Sequence, residues 1–414
     1  MGTYIKELWQ LPSGVRKFLG SEPFLGIAFG LNQLLFNLHM LSHGVSEVQI
    51  GTILAMGTLI VALGAIPFGI IADKYGRKRV LVSGLYAIAI GHLVMALGTD
   101  ITHFATGKAS VSLGMSMMIS TEIPLLFRYC KTKKQQTQTY NLMFAFFTMF
   151  IGLGTLLGGY LPSLIDTNHD HYQNTLLVMT VSMTIVATAR LFLPYEGDRP
   201  RKEIKERHSL SWFKKMLQYR PSKHTLIFVG FSVFAGMSHA VLIPYYNVIL
   251  TFRFEWSDTL VAWLLTANGF VASLTALSIP ILLEKWGLKR VAYAMFFLSI
   301  ITTILLALVL PLTAFIFFFL LRNGGFNSLN NVVEGKAMEA TGDEERSLHA
   351  ALRLIGKNIG STIGAYLTGF VLAAQNYYLP FLLSALILTM AFIYFRWIML
   401  KPLEADLKSY EQAS

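Results

Sequence analysis

The sequence predicts an all-α membrane protein of twelve transmembrane helices in two six-helix halves. Three observations predict it. Of the 414 residues, 54% are hydrophobic and 14% are charged, where a soluble domain carries about 25% charged residues. Apolar runs of about 20 residues, the length that spans a bilayer, recur down the whole chain. Lys and Arg fall in every second connection between these runs, as in cytoplasmic loops of polytopic proteins.

In order, the runs predict helices near 22–42, 47–71, 79–98, 104–127, 138–164 and 173–194, then near 224–251, 257–283, 289–309, 311–335, 346–373 and 378–400. Residues 1–20 contain Trp9, Pro12, Arg16 and Lys17 but no continuous apolar core, so no cleavable signal peptide is expected. The connections at 73–79, 128–134, 199–223 and 285–290 are rich in Lys and Arg. Those at 43–47, 165–174 and 375–378 contain none. This alternation predicts a multi-pass protein of the cell membrane with both termini cytoplasmic. It also accounts for the net charge of +11 by loop placement and contact with anionic lipid rather than by nucleic-acid binding. The longest polar stretch, 195–223, reads as a cytoplasmic linker between halves 1–194 and 224–414. Within it, Ser211 to Tyr219 is either a short interfacial helix or a solvated one. The lone cysteine, Cys130, permits no internal disulfide and no zinc cluster.

The halves repeat. Asp73-Lys-Tyr-Gly-Arg-Lys-Arg-Val80 returns 211 residues later as Glu284-Lys-Trp-Gly-Leu-Lys-Arg-Val291. Ser46-Glu47 returns at the same offset as Ser257-Asp258, and Ser46-x-x-Gln49 reads as a capping box. In the first copy Gly76 should supply a positive φ for a tight turn. Gly69 should let another helix approach. Asp73 should pair with Arg77 or with a neighbouring helix N-terminus.

Gly69-x-x-x-Asp73-Lys74-x-Gly76-Arg77-Lys78-Arg79 resembles the signature between helices two and three of the major facilitator superfamily. The resemblance implies that superfamily's fold and alternating access by rocking of two halves. It also implies a conformational latch formed by Gly69, Asp73, Gly76, Arg77 and Arg79, with Glu122 near enough to pair with Arg77. The degenerate second copy has Leu288 where Arg77 stands, which points to the first copy as the latch. Gly154-Thr155-Leu-Leu-Gly158-Gly159 resembles the helix-five signature of proton-coupled exporters, with Thr155 in place of its usual proline. Tight helix packing explains the same glycines equally well.

Polar residues inside spans are costly and so are candidates for function. In the tenth span Asn323, Asn327, Asn330 and Glu334 fall on one helical face, with Arg322 beside it. That face either lines a cavity or bonds to a neighbouring helix. The seventh span carries Ser232, His239 and Tyr246 on one face and Pro244 at an expected kink. The first span offers Asn32, Gln33, Asn37 and His39. The fourth carries Lys108, Ser112, Ser116 and Ser120 on one face and Glu122 on nearly the opposite one. From these, Asn32, Gln33, His239, Arg322, Asn323, Asn327, Asn330 and Glu334 are the residues expected to meet substrate or proton. Glu334 is the first choice for coupling, ahead of His239 and Glu122.

The chain contains no phosphate-binding Gly-x-x-x-x-Gly-Lys-Ser/Thr loop, no His-Glu-x-x-His helix and no paired intramembrane aspartates. The expected function is therefore secondary transport rather than catalysis, driven by protons, with no cofactor and no metal. The expected partners are a small-molecule substrate and membrane lipids, with the chain acting as a monomer. Thirty Phe and 17 Met suit an adaptable apolar cavity and favour export of an amphipathic compound over nutrient uptake.

Overall fold

A computed structural model describes residues 11–165, 172–194, 221–339 and 346–405. Every regular element among them is helical. The first six are α1 (Ser13–Ser42), α2 (Glu47–Tyr75), α3 (Arg77–Ala96), α4 (Ile101–Arg128), α5 (Lys133–Ile165) and α6 (Gln173–Leu191). They are followed by α7 (Lys223–Leu242), a 3₁₀ turn at Ile243–Tyr245 and α8 (Tyr246–Phe254). Next come α9 (Asp258–Leu306), α10 (Leu312–Glu339), α11 (Arg346–Ala373) and α12 (Leu379–Tyr394), which runs on through a π turn at Phe395–Met399. Among the described residues nine helices are long and apolar enough to cross a membrane. The reading of 195–223 as a linker falls almost wholly outside the described residues.

Local sequence explains the boundaries. Ser46 N–H donates to Gln49 Oε1 at 2.9 Å and Ser46 Oγ accepts from Gln49 N–H at 3.4 Å, the reciprocal pair of a capping box. Ser257 Oγ accepts from Leu260 N–H at 3.5 Å at the repeat-related helix start. Asp100 caps α4 by accepting from the N–H groups of Thr102 and His103. Pro244 stands in the 3₁₀ turn that interrupts the seventh span, as its missing N–H requires. Gly76 has φ 97, and Gly287, 211 residues on, has φ 74. Gly287 breaks the 49-residue α9 into two helical segments. Gly44 and Glu255 share the same offset and are also left-handed, at φ 76 and 53.

The boundary furthest from expectation is the start of the first helix. α1 begins at Ser13 rather than near 22. Arg16, Lys17 and Glu22 interrupt the apolar run, but Val15, Phe18 and Leu19 are buried, so packing extends the helix past the point where composition fades.

The described chain divides into two compact units. The first holds residues up to Val45, then Leu63–Tyr219 and Ser257–Ala262. The second holds Ser46–Ala62, Arg220–Trp256 and the residues from Trp263 onward. Within the first, glycines set the spacing of α1 against α5. A Cβ on Gly26 would lie 2.7 Å from the Phe147 carbonyl oxygen, and one on Gly154 would run into Ile27. Within the second, Gly236 and Gly360 bring α7 and α11 equally close, through Lys357 and Val233. The helix-five glycines therefore have a packing role, and Thr155, on the same helix, donates to the Ile151 carbonyl at 2.9 Å.

Candidate functional site

The basic connection folds from its own residues. α2 ends at Tyr75, Gly76 turns the chain and α3 starts at Arg77. Arg77 Nη2 donates to Asp73 Oδ1 at 3.2 Å, one helical turn apart, with the side chains 19% and 21% exposed. Among the described residues Gly69 does not serve a close approach: a Cβ there would meet none of their atoms within 4 Å. Two glycines of α2 are crowded instead, Gly51 against Gly369 and Gly64 against Ser116.

Glu122 does not pair with Arg77. It accepts from Arg190 Nη1 at 2.7 Å, while Arg190 Nη2 donates to Glu22 Oε1 at 2.6 Å. Arg190 Nε donates to Ser21 Oγ at 3.1 Å, and the guanidinium carbon lies 4.2 Å from the Phe18 ring centroid. Arg190 is fully buried, Glu22 is 2% exposed at its side chain and Glu122 14%. One cation from α6 thus holds two carboxylates, from α1 and α4. The fork geometry of guanidinium makes this possible, since its two terminal nitrogens face different acceptors. Sequence reading passed over Arg190 because it sits at the end of an ordinary apolar run. The signal was present in two acids and one arginine at matching depth near the ends of spans one, four and six.

The end of α6 also ties this cluster to the basic connection. Lys78 Nζ donates to the Leu193 carbonyl at 2.6 Å, Lys17 Nζ to that of Phe192 at 3.1 Å and Tyr129 Oη to that of Pro194 at 3.0 Å. Two cations and a phenol thus satisfy carbonyls that a helix C-terminus leaves open.

In the second unit Arg322 is fully buried and does not face open space. Its Nη1 donates to Tyr246 Oη at 2.5 Å and Asn323 Oδ1 at 2.8 Å, its Nη2 to Ser384 Oγ at 3.2 Å, and its Nε to Thr303 Oγ1 at 3.3 Å. Tyr246 Oη itself donates to Asn323 Oδ1 at 2.7 Å. The first member of the tenth-span face is therefore bonded between helices rather than presented to a ligand. Glu334 forms an ion pair with Arg353 of α11, and its Oε1 is buried without a hydrogen-bond partner. Asn330 is half-buried, and the side chain of Asn327 lies outside the described set. His239 is half-buried, and the charged groups acting on it are Lys357 and Arg322, both cationic.

Back in the first unit, Gln33 is exposed and Asn32 half-buried, with Asn32 Oδ1 buried and unpartnered. Lys108 is half-buried with its ammonium 5.5 Å from the Phe36 ring centroid. A cavity of about 520 Å³ opens beside the start of α1, lined by Leu11, Arg16, Lys17, Pro23 and Phe146 among others, away from these polar faces. Among the described residues no cluster of His, Cys, Asp and Glu could hold a metal ion.

Comparison with known proteins agrees with this architecture. The sequence profile of the Major Facilitator Superfamily matches residues 24–253 and 228–413. An uncharacterized MFS-type transporter, YcaD of Escherichia fergusonii, is 29% identical over 185 residues, 44% of each chain. The class H tetracycline resistance protein of Pasteurella multocida is 21% identical over 60% of this chain and 62% of that one. The chain thus matches less than half the length of the first of these relatives and about three-fifths of the second. In fold, it resembles a bacterial homologue of the human lysosomal transporter Spinster in an inward-facing and occupied conformation. That match has a TM-score of 0.76 at 13% identity and covers 95% of this chain and 97% of the other.

Proposed function

The chain belongs to the Major Facilitator Superfamily, a family of transporters rather than enzymes, and on that premise we propose that it is a proton-coupled exporter of a small amphipathic compound. The observation that carries the coupling is the charge balance at Arg190. Two carboxylates share one guanidinium inside the helical bundle, which leaves one negative charge over when both are ionised. Burying an uncompensated charge is costly, and one proton on the pair removes it. The pair replaces Glu334 as the first candidate, because Glu334 has a full cationic partner in Arg353. Export is favoured by the relative named for tetracycline resistance, which aligns over more of this chain than YcaD does.

Alternating access of two six-helix halves is part of the same proposal. Twelve spans follow if α9 counts as two on either side of Gly287 and if α10 and α11 cross as well. Asp73 and Arg77 would then act as the latch, linked through Lys78 to the end of α6.

The test uses the purified protein in liposomes with labelled amphipathic compounds and an imposed pH gradient. Glu122→Gln should abolish gradient-driven movement while exchange at equal concentrations survives. Glu22→Gln should do the same wherever it folds. If Glu122→Gln retains full gradient-driven transport and Glu334→Gln or His239→Ala does not, coupling belongs to the second unit. Absence of gradient-driven movement of any compound by the wild type would remove the transporter reading itself.

A further inference from the structure

The cations set within spans of this chain differ in how they are compensated. Arg190 has two carboxylates, Arg353 has Glu334 and Arg322 has four side-chain oxygens. Lys108 has no hydrogen bond or ion pair with a described residue. It stands two turns inside α4, where an ammonium is costly unless something answers its charge. The Phe36 ring, 5.5 Å from Nζ, offsets part of that cost.

Two further polar atoms are also unanswered. Asn32 lies one turn from Phe36 on α1, and its Oδ1 is buried without a donor. His92 of α3 is within electrostatic reach of Lys108, and its Nδ1 is buried without a partner. Buried polar atoms are paired in the great majority of cases, so one unpaired atom a helical turn from the ring that Lys108 meets, and another within electrostatic reach of its ammonium, mark a place that a ligand completes.

We propose that Lys108, Phe36, Asn32 and His92 form a subsite for a small organic anion with an apolar ring or chain. The proposal rests on the transporter reading above and names its substrate class. The ammonium answers the anionic group as a point charge, without the two-pronged fit of an arginine. Phe36 packs against the apolar body, and Asn32 Oδ1 takes a hydroxyl or N–H of the ligand.

The test is a matched panel of probes on the full-length protein. Benzoate, benzenesulfonate, phenyl phosphate and hexanoate are compared with neutral benzamide and hexanamide and with cationic benzylamine. Binding is read as a rise in melting temperature, and movement is read in liposomes. At least one anion should bind, and its neutral counterpart should bind at least tenfold more weakly. Lys108→Gln should lose at least tenfold in affinity for the anion, and Lys108→Arg should keep most of it. Without ligand, Lys108→Gln should melt no lower than the wild type, because it removes an unanswered charge. The proposal is overturned if no anion of the panel binds, if the neutral probes bind equally well, or if Lys108→Gln binds anions unchanged. The two readings fail separately. Lys108-dependent binding without movement under any gradient would remove transport and leave the subsite. Gradient-driven movement of a neutral compound by Lys108→Gln would remove the subsite and leave transport.

Discussion

Arg190 holds two acids, so deleting it tests a balance rather than a single bond. Arg190→Gln would leave Glu22 and Glu122 facing each other with no cation between them. Breaking a buried pair from one side costs about 3–5 kcal/mol, and chemical unfolding in detergent should show a loss of that size. Adding Glu22→Gln to Arg190→Gln should recover part of it, because the stranded charge is then gone. A merely additive loss would show that the cluster is packing and not charge. Glu122 was visible in the sequence as an acid inside a span, but its partner was not. Arg77 and Arg190 both lie near that end of the chain's spans, and linear order cannot say which helix stands beside α4. Arg322 misled for the opposite reason. Its position beside an asparagine stripe suggested an open cavity, whereas Tyr246, Thr303 and Ser384, each from another helix, enclose it.

The helix ends were the legible part of the structure, because caps and turns are written in neighbouring residues. Ser46 with Gln49, Ser257 and Gly76 all act where the sequence places them. Gly76 has φ 97 with ψ 136, and Gly287 has φ 74 with ψ 162, regions that a side chain enters at about 1–3 kcal/mol. Gly76→Ala and Gly287→Ala should each lower stability by about that amount. If both halves use the turn in the same way, the two losses should be similar. Function should divide them, since only the first copy carries the Asp73–Arg77 pair. Asp73→Asn keeps the shape and removes the charge, so transport should fall well beyond any loss of expression, with accessibility probes shifting toward the inward-open state. Unchanged transport and accessibility would reduce the Asp73–Arg77 pair to a local contact at the end of α2. The early start of α1 was not legible, because it depends on what Val15 and Phe18 pack against rather than on their own run.

At the scale of the molecule the repeat reaches packing as well as sequence. In the second unit a Cβ on Gly51 would lie 2.9 Å from the Gly369 Cα, and in the first a Cβ on Gly159 would lie 2.5 Å from the Ala262 Cβ. Ala262 stands 211 residues after Gly51 and Gly369 stands 210 after Gly159, so the same kind of contact is built twice, one residue out of the sequence register. Gly51→Leu and Gly159→Leu should therefore impair folding or transport to a similar degree, while Gly69→Ala, in open space, should be tolerated. The charge alternation makes a further prediction about the whole chain. Positively charged connections are retained on the cytoplasmic side, and an even number of spans returns the chain to the side on which it began. A tag at either terminus, or within 199–207, should be protected in intact cells. A tag between His169 and Tyr172, in a connection without Lys or Arg, should be open to an impermeant label. Labelling at 199–207 together with protection at 169–172 would reverse the orientation. Termini on opposite sides would mean an odd number of spans, and the count of twelve would fall with the two-halves reading built on it.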